Sequence, residues 1–161
     1  MRLAISDKTP MYQTMSKILA VDENKKELFT LIADNLIDLF KNHQKTLIVT
    51  KNELALCNQE KDISNLMPCC KEEADDRIFV HAKEQSRMGF KKLLIVTVDC
   101  DIVVIALNAY WDLDINELWV EFGKGKDRRW LPIHLYAEHF GRVICRAILF
   151  WYALTGCDTV Y

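Results

Sequence analysis

A three-layer α/β domain, with a mostly parallel sheet flanked by helices, is the fold class this sequence predicts. Three observations carry that expectation. Residues 93–107, reading LLIVTVDCDIVVIAL, form a nearly continuous apolar strand that meets two aspartates and runs into a second apolar segment. Such runs are typical of strands covered on both faces. Segments of helical period alternate with short apolar strands, as βαβ units do. The chain has 161 residues, half of them hydrophobic, which suits one domain with a sizeable core. Residues 1–22 read as a loose lead-in, and 23–161 as the α/β domain.

The elements follow in order. Pro10 and weak patterning leave only a short helix near 12–19. Asn24 followed by Glu27 is a helix-start signal, and Leu28, Leu31, Ile32, Leu36 and Leu39 recur at helical spacing, predicting an amphipathic helix over 25–41. Short strands are expected at 47–50 and 54–57, then a loop over 58–70 containing Pro68. The next helix starts near Glu72, carries Ala74, Ile78 and Ala82 on one face, and ends at Gly89. The central strand follows, then a helix over 102–110. A strand over 115–122 carries Trp119, a basic turn spans 123–129, and a short strand covers 130–133. Two helices close the chain, at about 134–140 and 142–154.

Composition excludes little. The net charge of −2 gives no bulk signal for a nucleic-acid or membrane partner. No apolar run reaches the roughly 18 residues of a membrane span. Six cysteines occur without a CxxC pair. With no signal peptide evident, they are expected to be reduced thiols of an intracellular protein, in the nucleus or cytoplasm. A zinc site built on Cys69, Cys70 and a histidine is the minor alternative. The four tryptophans are expected to be core or edge aromatics, and Cys100 to pack inward at the strand end.

Three acidic clusters stand at element ends. The first is Glu72, Glu73, Asp75 and Asp76, where acids in a first helical turn complement the macrodipole and Glu73 pairs with Arg77. The second is Asp99 and Asp101, of which one also suits a helix N-cap. The third is Asp158, in a C-terminal turn. Each alone reads as structural. Together they can meet at one rim of a parallel sheet, where ligands bind beyond the strands' carboxyl ends. Packed carboxylates repel, and a cation offsets that cost. Two divalent ions about 4 Å apart are the usual means of phosphodiester hydrolysis, and Mg²⁺ or Mn²⁺ suits an all-oxygen site.

The segments KEEADDRI, TVDCDIVVIA, ELWVEFGKGK and LTGCDTV resemble the core of the PIN-like, flap-endonuclease superfamily. The likeness is greatest to a group of uncharacterised animal proteins with motifs such as HEEADTRI, TVDTDVVVLA and FTGCDTV. It covers most of the chain from about Asp22 onward. The resemblance implies a divalent-metal-dependent nuclease-like domain acting on DNA or RNA phosphodiesters. It also implies metal-ligand roles for Glu73, Asp75, Asp99, Asp101 and Asp158, with Asp99 and Asp101 catalytic. The superfamily takes further acids from an N-terminal strand and a later element, and continues into a glycine-rich helical segment. Residues 47–50 run into Lys51 and Asn52 with no acid, and Lys71 stands where the group has histidine. The core is therefore expected to be incomplete, which keeps open a PIN-like module that binds without cutting.

Two further readings come from the residues. Lys124, Lys126, Arg128 and Arg129, in a glycine-rich turn, could contact nucleic-acid phosphates, the alternative being a solvated hairpin. An apolar strand followed by Asp-x-Asp-x-Val also fits a haloacid-dehalogenase-like phosphatase. Asp99 would then be the nucleophile and Asp101 the acid/base, but that reading leaves EEAD unexplained.

Overall fold

The structure, a computed structural model, describes residues 15–71 and 74–155. The chain divides into two compact units, residues 1–71 and 72–161.

In the first unit, α1 (Met15–Leu19) leads into α2 (Asp22–Phe40), followed by the hairpin β1 (Ile48–Lys51) and β2 (Leu54–Cys57). Asn24 does not start α2. Asp22 and Glu23 occupy its first turn, where acids complement the exposed N–H groups. Asn24 lies fully buried one turn in, and its amide donates to the Ile18 carbonyl at 3.2 Å. The expected apolar face is only half sunk. Ala33 is buried, but Ile32 and Leu39 are exposed. The hairpin closes through a two-residue loop between the paired Lys51 and Leu54, with Asn52 at φ 53°. Asparagine tolerates this left-handed backbone. One side chain ties the unit's loop together. The Asn58 amide donates to the carbonyls of Phe40 (2.8 Å) and Lys45 (3.0 Å) and accepts from the Leu47 N–H at 2.7 Å. A 3₁₀ turn over Ser64–Leu66 interrupts the predicted 58–70 loop.

In the second unit the elements are α3 (Ala74–Arg87), β3 (Lys92–Thr97), α4 (Cys100–Ala109), β4 (Glu117–Phe122), β5 (Arg129–Pro132) and α5 (Ile133–Thr155). α3 ends as predicted at Gly89, whose φ is 93°. The Gly89 N–H reaches the Ser86 carbonyl and the Phe90 N–H reaches that of Gln85, a Schellman cap. β3 and β4 pair in parallel, with α4 as the crossover, and β5 pairs antiparallel to β4. The sheet order is β3-β4-β5, so β3 is an edge and the sheet is mixed rather than mostly parallel.

The expected three layers do not form in this unit. Ile95, Leu118 and Val120 point to one face, where Ile102 and Ala106 of α4 and Ile133, Ala137 and Cys145 of α5 complete the core, with Ile78 and Phe79 of α3 against it. The opposite face carries apolar groups in the open. Ile95 is 7% exposed, whereas its neighbours Leu94 and Val96 are 49% and 67% exposed. The strand thus alternates like one covered on a single side. The architecture is mixed α/β, with helices and two small sheets, and not a sheet sandwiched between helical layers.

α5 is two helices joined at Gly141, as its sequence predicts, with φ 78° and ψ 157° at the joint. That backbone region is accessible essentially only to glycine. No helix among the described residues is long and apolar enough to cross a membrane.

Candidate metal centre

The carboxyl end of β3 leads straight into the acid pair. Asp99 is the N-cap of α4 and Asp101 lies in its first turn. The Asp99 Oδ1 accepts the Asp101 N–H at 3.0 Å, and the Asp99 N–H donates to Thr97 Oγ1 at 3.0 Å. The capping role weighed for one aspartate therefore falls to Asp99. A cap uses one carboxylate oxygen and leaves the other available.

Cys100 is placed differently from the expectation. It opens α4 rather than ending the strand, and it is exposed. Its sulfur lies 3.1 Å from the Tyr152 hydroxyl, and that hydroxyl donates to Asp101 Oδ1 at 2.7 Å. Hydrogen bonds to the Cys100 thiol and then to the Asp101 carboxylate raise the Tyr152 phenol's pKa well above its usual 10. Asp99, Cys100 and Asp101 each offer a ligand atom within 4.8 Å of the others, the one such group of three among the described residues. Exposed acidic groups of this kind are common on protein surfaces without an ion.

The donors fit a hard cation in part. Two carboxylates, each with one oxygen uncommitted to these bonds, match Mg²⁺, which is commonly held by one or two carboxylates and keeps several waters. Among the described residues, this group offers donors for one ion. Asp75 lies in the first turn of α3 and is not part of the close group. Glu73 and Asp158 lie outside the described residues.

The basic turn begins at the same end of the sheet. β4 runs parallel to β3, Thr97 is paired with Phe122, and the Gly123 N–H donates to the Thr97 carbonyl at 3.1 Å. Gly123 sits at φ 97°, and a Cβ there would come within 2.7 Å of the Asp127 carbonyl oxygen, so the turn can fold this tightly only around glycine. Lys124, Lys126 and Arg129 are exposed. Arg128 is engaged, its Nε lying 3.0 Å from Glu121 Oε1, which leaves three of the four predicted cations presented without a described ion pair of that kind.

Other singled-out side chains have structural tasks. His134 is buried and its ring Nδ1 lies 3.0 Å from the Leu118 carbonyl, with Trp119 edge-on at 5.3 Å. Trp119 bonds Glu117, whereas Trp130, on the edge strand β5, and Trp151, on α5, are exposed. The cysteines of the described residues are free thiols.

Tyr152 was not foreseen from the sequence. Its signal is a helical stripe: it stands seven residues after Cys145, which is fully buried, so the two share a face of α5. No family model, curated protein or solved structure matches the chain.

Proposed function

We propose that this chain is a PIN-like, divalent-metal-dependent nuclease-like domain acting on DNA or RNA phosphodiesters. One juxtaposition supports the reading. Asp99 and Asp101 stand at the carboxyl end of β3, and the basic turn leaves the matching end of its parallel neighbour. Carboxylates beside exposed cations suit a substrate that is itself anionic and needs its charge both anchored and offset. Asp99 and Asp101 hold Mg²⁺ or Mn²⁺, and a bound ion of this kind supplies Lewis-acid charge at the scissile phosphate. Lys124, Lys126 and Arg129 anchor the flanking backbone, positioning the strand without reading its bases. Glu73, Asp75 and Asp158 complete the ligand set that the family resemblance implies.

The test is cleavage of single-stranded and flap DNA by the purified chain in Mn²⁺. We expect cleavage that EDTA abolishes and that falls at least about 100-fold in Asp101→Asn, the scale of losing one charge-stabilising group. Cleavage that survives Asp101→Asn would overturn the catalytic assignment. A second reading, a PIN-like module that binds nucleic acid without cutting, is favoured by the small donor set of the described residues. It predicts salt-sensitive binding through Lys124, Lys126 and Arg129 with no cleavage in either protein.

A further inference from the structure

We propose that the outward face of the second half of α5 is the contact between two copies of this chain, with the two helices packed antiparallel. The inference stands apart from the metal reading.

Beyond Gly141 the helix is apolar on both of its sides. Inward, Cys145 is fully buried, and Ile148, Leu149 and Tyr152 are partly so. Tyr152 bonds Asp101 of α4 at 2.7 Å, so this side is fixed against the domain. Outward, Val143, Ala147, Phe150 and Leu154 recur at steps of four, three and four residues, with Ile144 and Trp151 beside them. That is the spacing that seats one helix against another. Val143 is 83% exposed, and Phe150 and Trp151 are 68% exposed each. A surface helix needs one apolar stripe, and a helix apolar all round belongs in a core or a membrane. No helix among the described residues is long and apolar enough to cross a membrane.

Area and charge point to a second copy as the occupant. With about 150–250 Å² for a buried aromatic, the six outward side chains expose on the order of 600 Å². Two such faces closed on each other would remove on the order of 1,200 Å² from water, the lower limit of specific interfaces. Charge sets the direction. Arg142 and Arg146 stand at the start of the stripe, whereas residues 151–161 hold no Lys or Arg and one acid, Asp158. The last turn of α5 carries no basic residue. Parallel pairing would set the arginines of the two copies side by side. Antiparallel pairing brings them beside the carboxyl end of the other helix, where the macrodipole favours cations. It also sets Val143 level with the partner's Leu154, and Ala147 level with the partner's Phe150, small against large.

The experiment is sedimentation equilibrium of the unaltered chain, Val143→Glu, Phe150→Glu and Arg146→Ala, with Val96→Glu, exposed on β3, as the control. We expect twice the chain mass at about 100 μM, well above the micromolar Kd of the weaker interfaces of standard size. Val143→Glu and Phe150→Glu should each weaken association at least about 30-fold, the scale of a central interface residue. Their unfolding temperatures, measured at dilutions where the unaltered chain is monomeric, should be nearly unchanged. Val96→Glu should associate as the unaltered chain does. Arg146→Ala should weaken association a few-fold, and a tighter dimer would overturn the antiparallel order. A chain that stays monomeric overturns the proposal. Flotation with phosphatidylcholine–phosphatidylserine vesicles, lost in Val143→Glu, would then give the stripe to a lipid surface, and unfolding of both glutamate variants would show it covered within one chain. A dimer that survives both glutamates, or that Val96→Glu alone breaks, overturns the proposal as well.

Discussion

Asp99 and Asp101 show how a short motif that starts a helix can still leave carboxylate oxygens for the chemistry proposed here. Asp99 caps α4, satisfying one of the backbone N–H groups that a helix start leaves without a partner. The same residue keeps an oxygen for a ligand, so capping and coordination are not alternatives. Asp101 is held by Tyr152 of α5, which packs against α4. Neither the shared task nor the tyrosine is visible in the local sequence. A cap and a ligand look alike as Asp-x-Asp, and a partner 51 residues away is a tertiary fact. His81, half-buried on α3, is a different case. Burial lowers its pKa from 6.5, because desolvation disfavours the charged ring. As pH falls through 6.5, the unfolded chain takes up the proton before the folded chain does, so this histidine costs stability on acidification. The unfolding temperature should therefore drop more between pH 7.5 and 5.5 in the unaltered chain than in His81→Gln. Equal drops would show that His81 is not the linked group.

At the scale of elements, strand β3 decides between two architectures. Residues 93–98 are apolar with only Thr97 interrupting, and a run of this kind reads as covered on both faces. In the structure Ile95 is buried and Leu93 partly so against the same core, while Leu94 and Val96 face outward. Truncation separates the two cases. Ile95→Ala should cost about 2–5 kcal/mol, as for a packed core residue, whereas Val96→Ala should stay within about 0.5 kcal/mol, as for an open surface position. Comparable large losses at both sites, measured by denaturant unfolding, would mean that the second face is covered after all. The same contrast explains which parts of the fold were legible. β2 at Leu54–Cys57 and the break of α5 at Gly141 were marked by local chemistry: a bounded apolar run and a glycine between two helical stripes. The layer count was not, because exposed Leu94 and Val96 are chemically indistinguishable from buried ones. The start of α2 was misplaced for a similar reason. Asn24 has the chemistry of a cap but uses its amide on the Ile18 carbonyl inside the turn.

At the scale of the whole molecule, the chain divides into two compact units. The second unit holds the acid pair, the basic turn and the tyrosine, so the proposed chemistry belongs to residues 72–161. Its parallel β3–α4–β4 unit is what brings the strand-end acids and the glycine-rich turn to one rim. That rim was legible in outline, because parallel strands place their carboxyl ends together and Asp99, Asp101 and Gly123 all stand at such ends. How many acids converge there was not legible, since spacing along a chain does not set distances across it. The central claim is that the β3 rim binds a divalent cation, and the most direct measurement is the amide spectrum of ¹⁵N-labelled protein during addition of substoichiometric Mn²⁺. The account predicts that signals of Asp99, Cys100, Asp101 and Gly123 broaden first, while those of Lys92 and Glu117, paired at the other end of β3 and β4, persist. Broadening that starts elsewhere, or that spares Asp99 and Asp101, would contradict it.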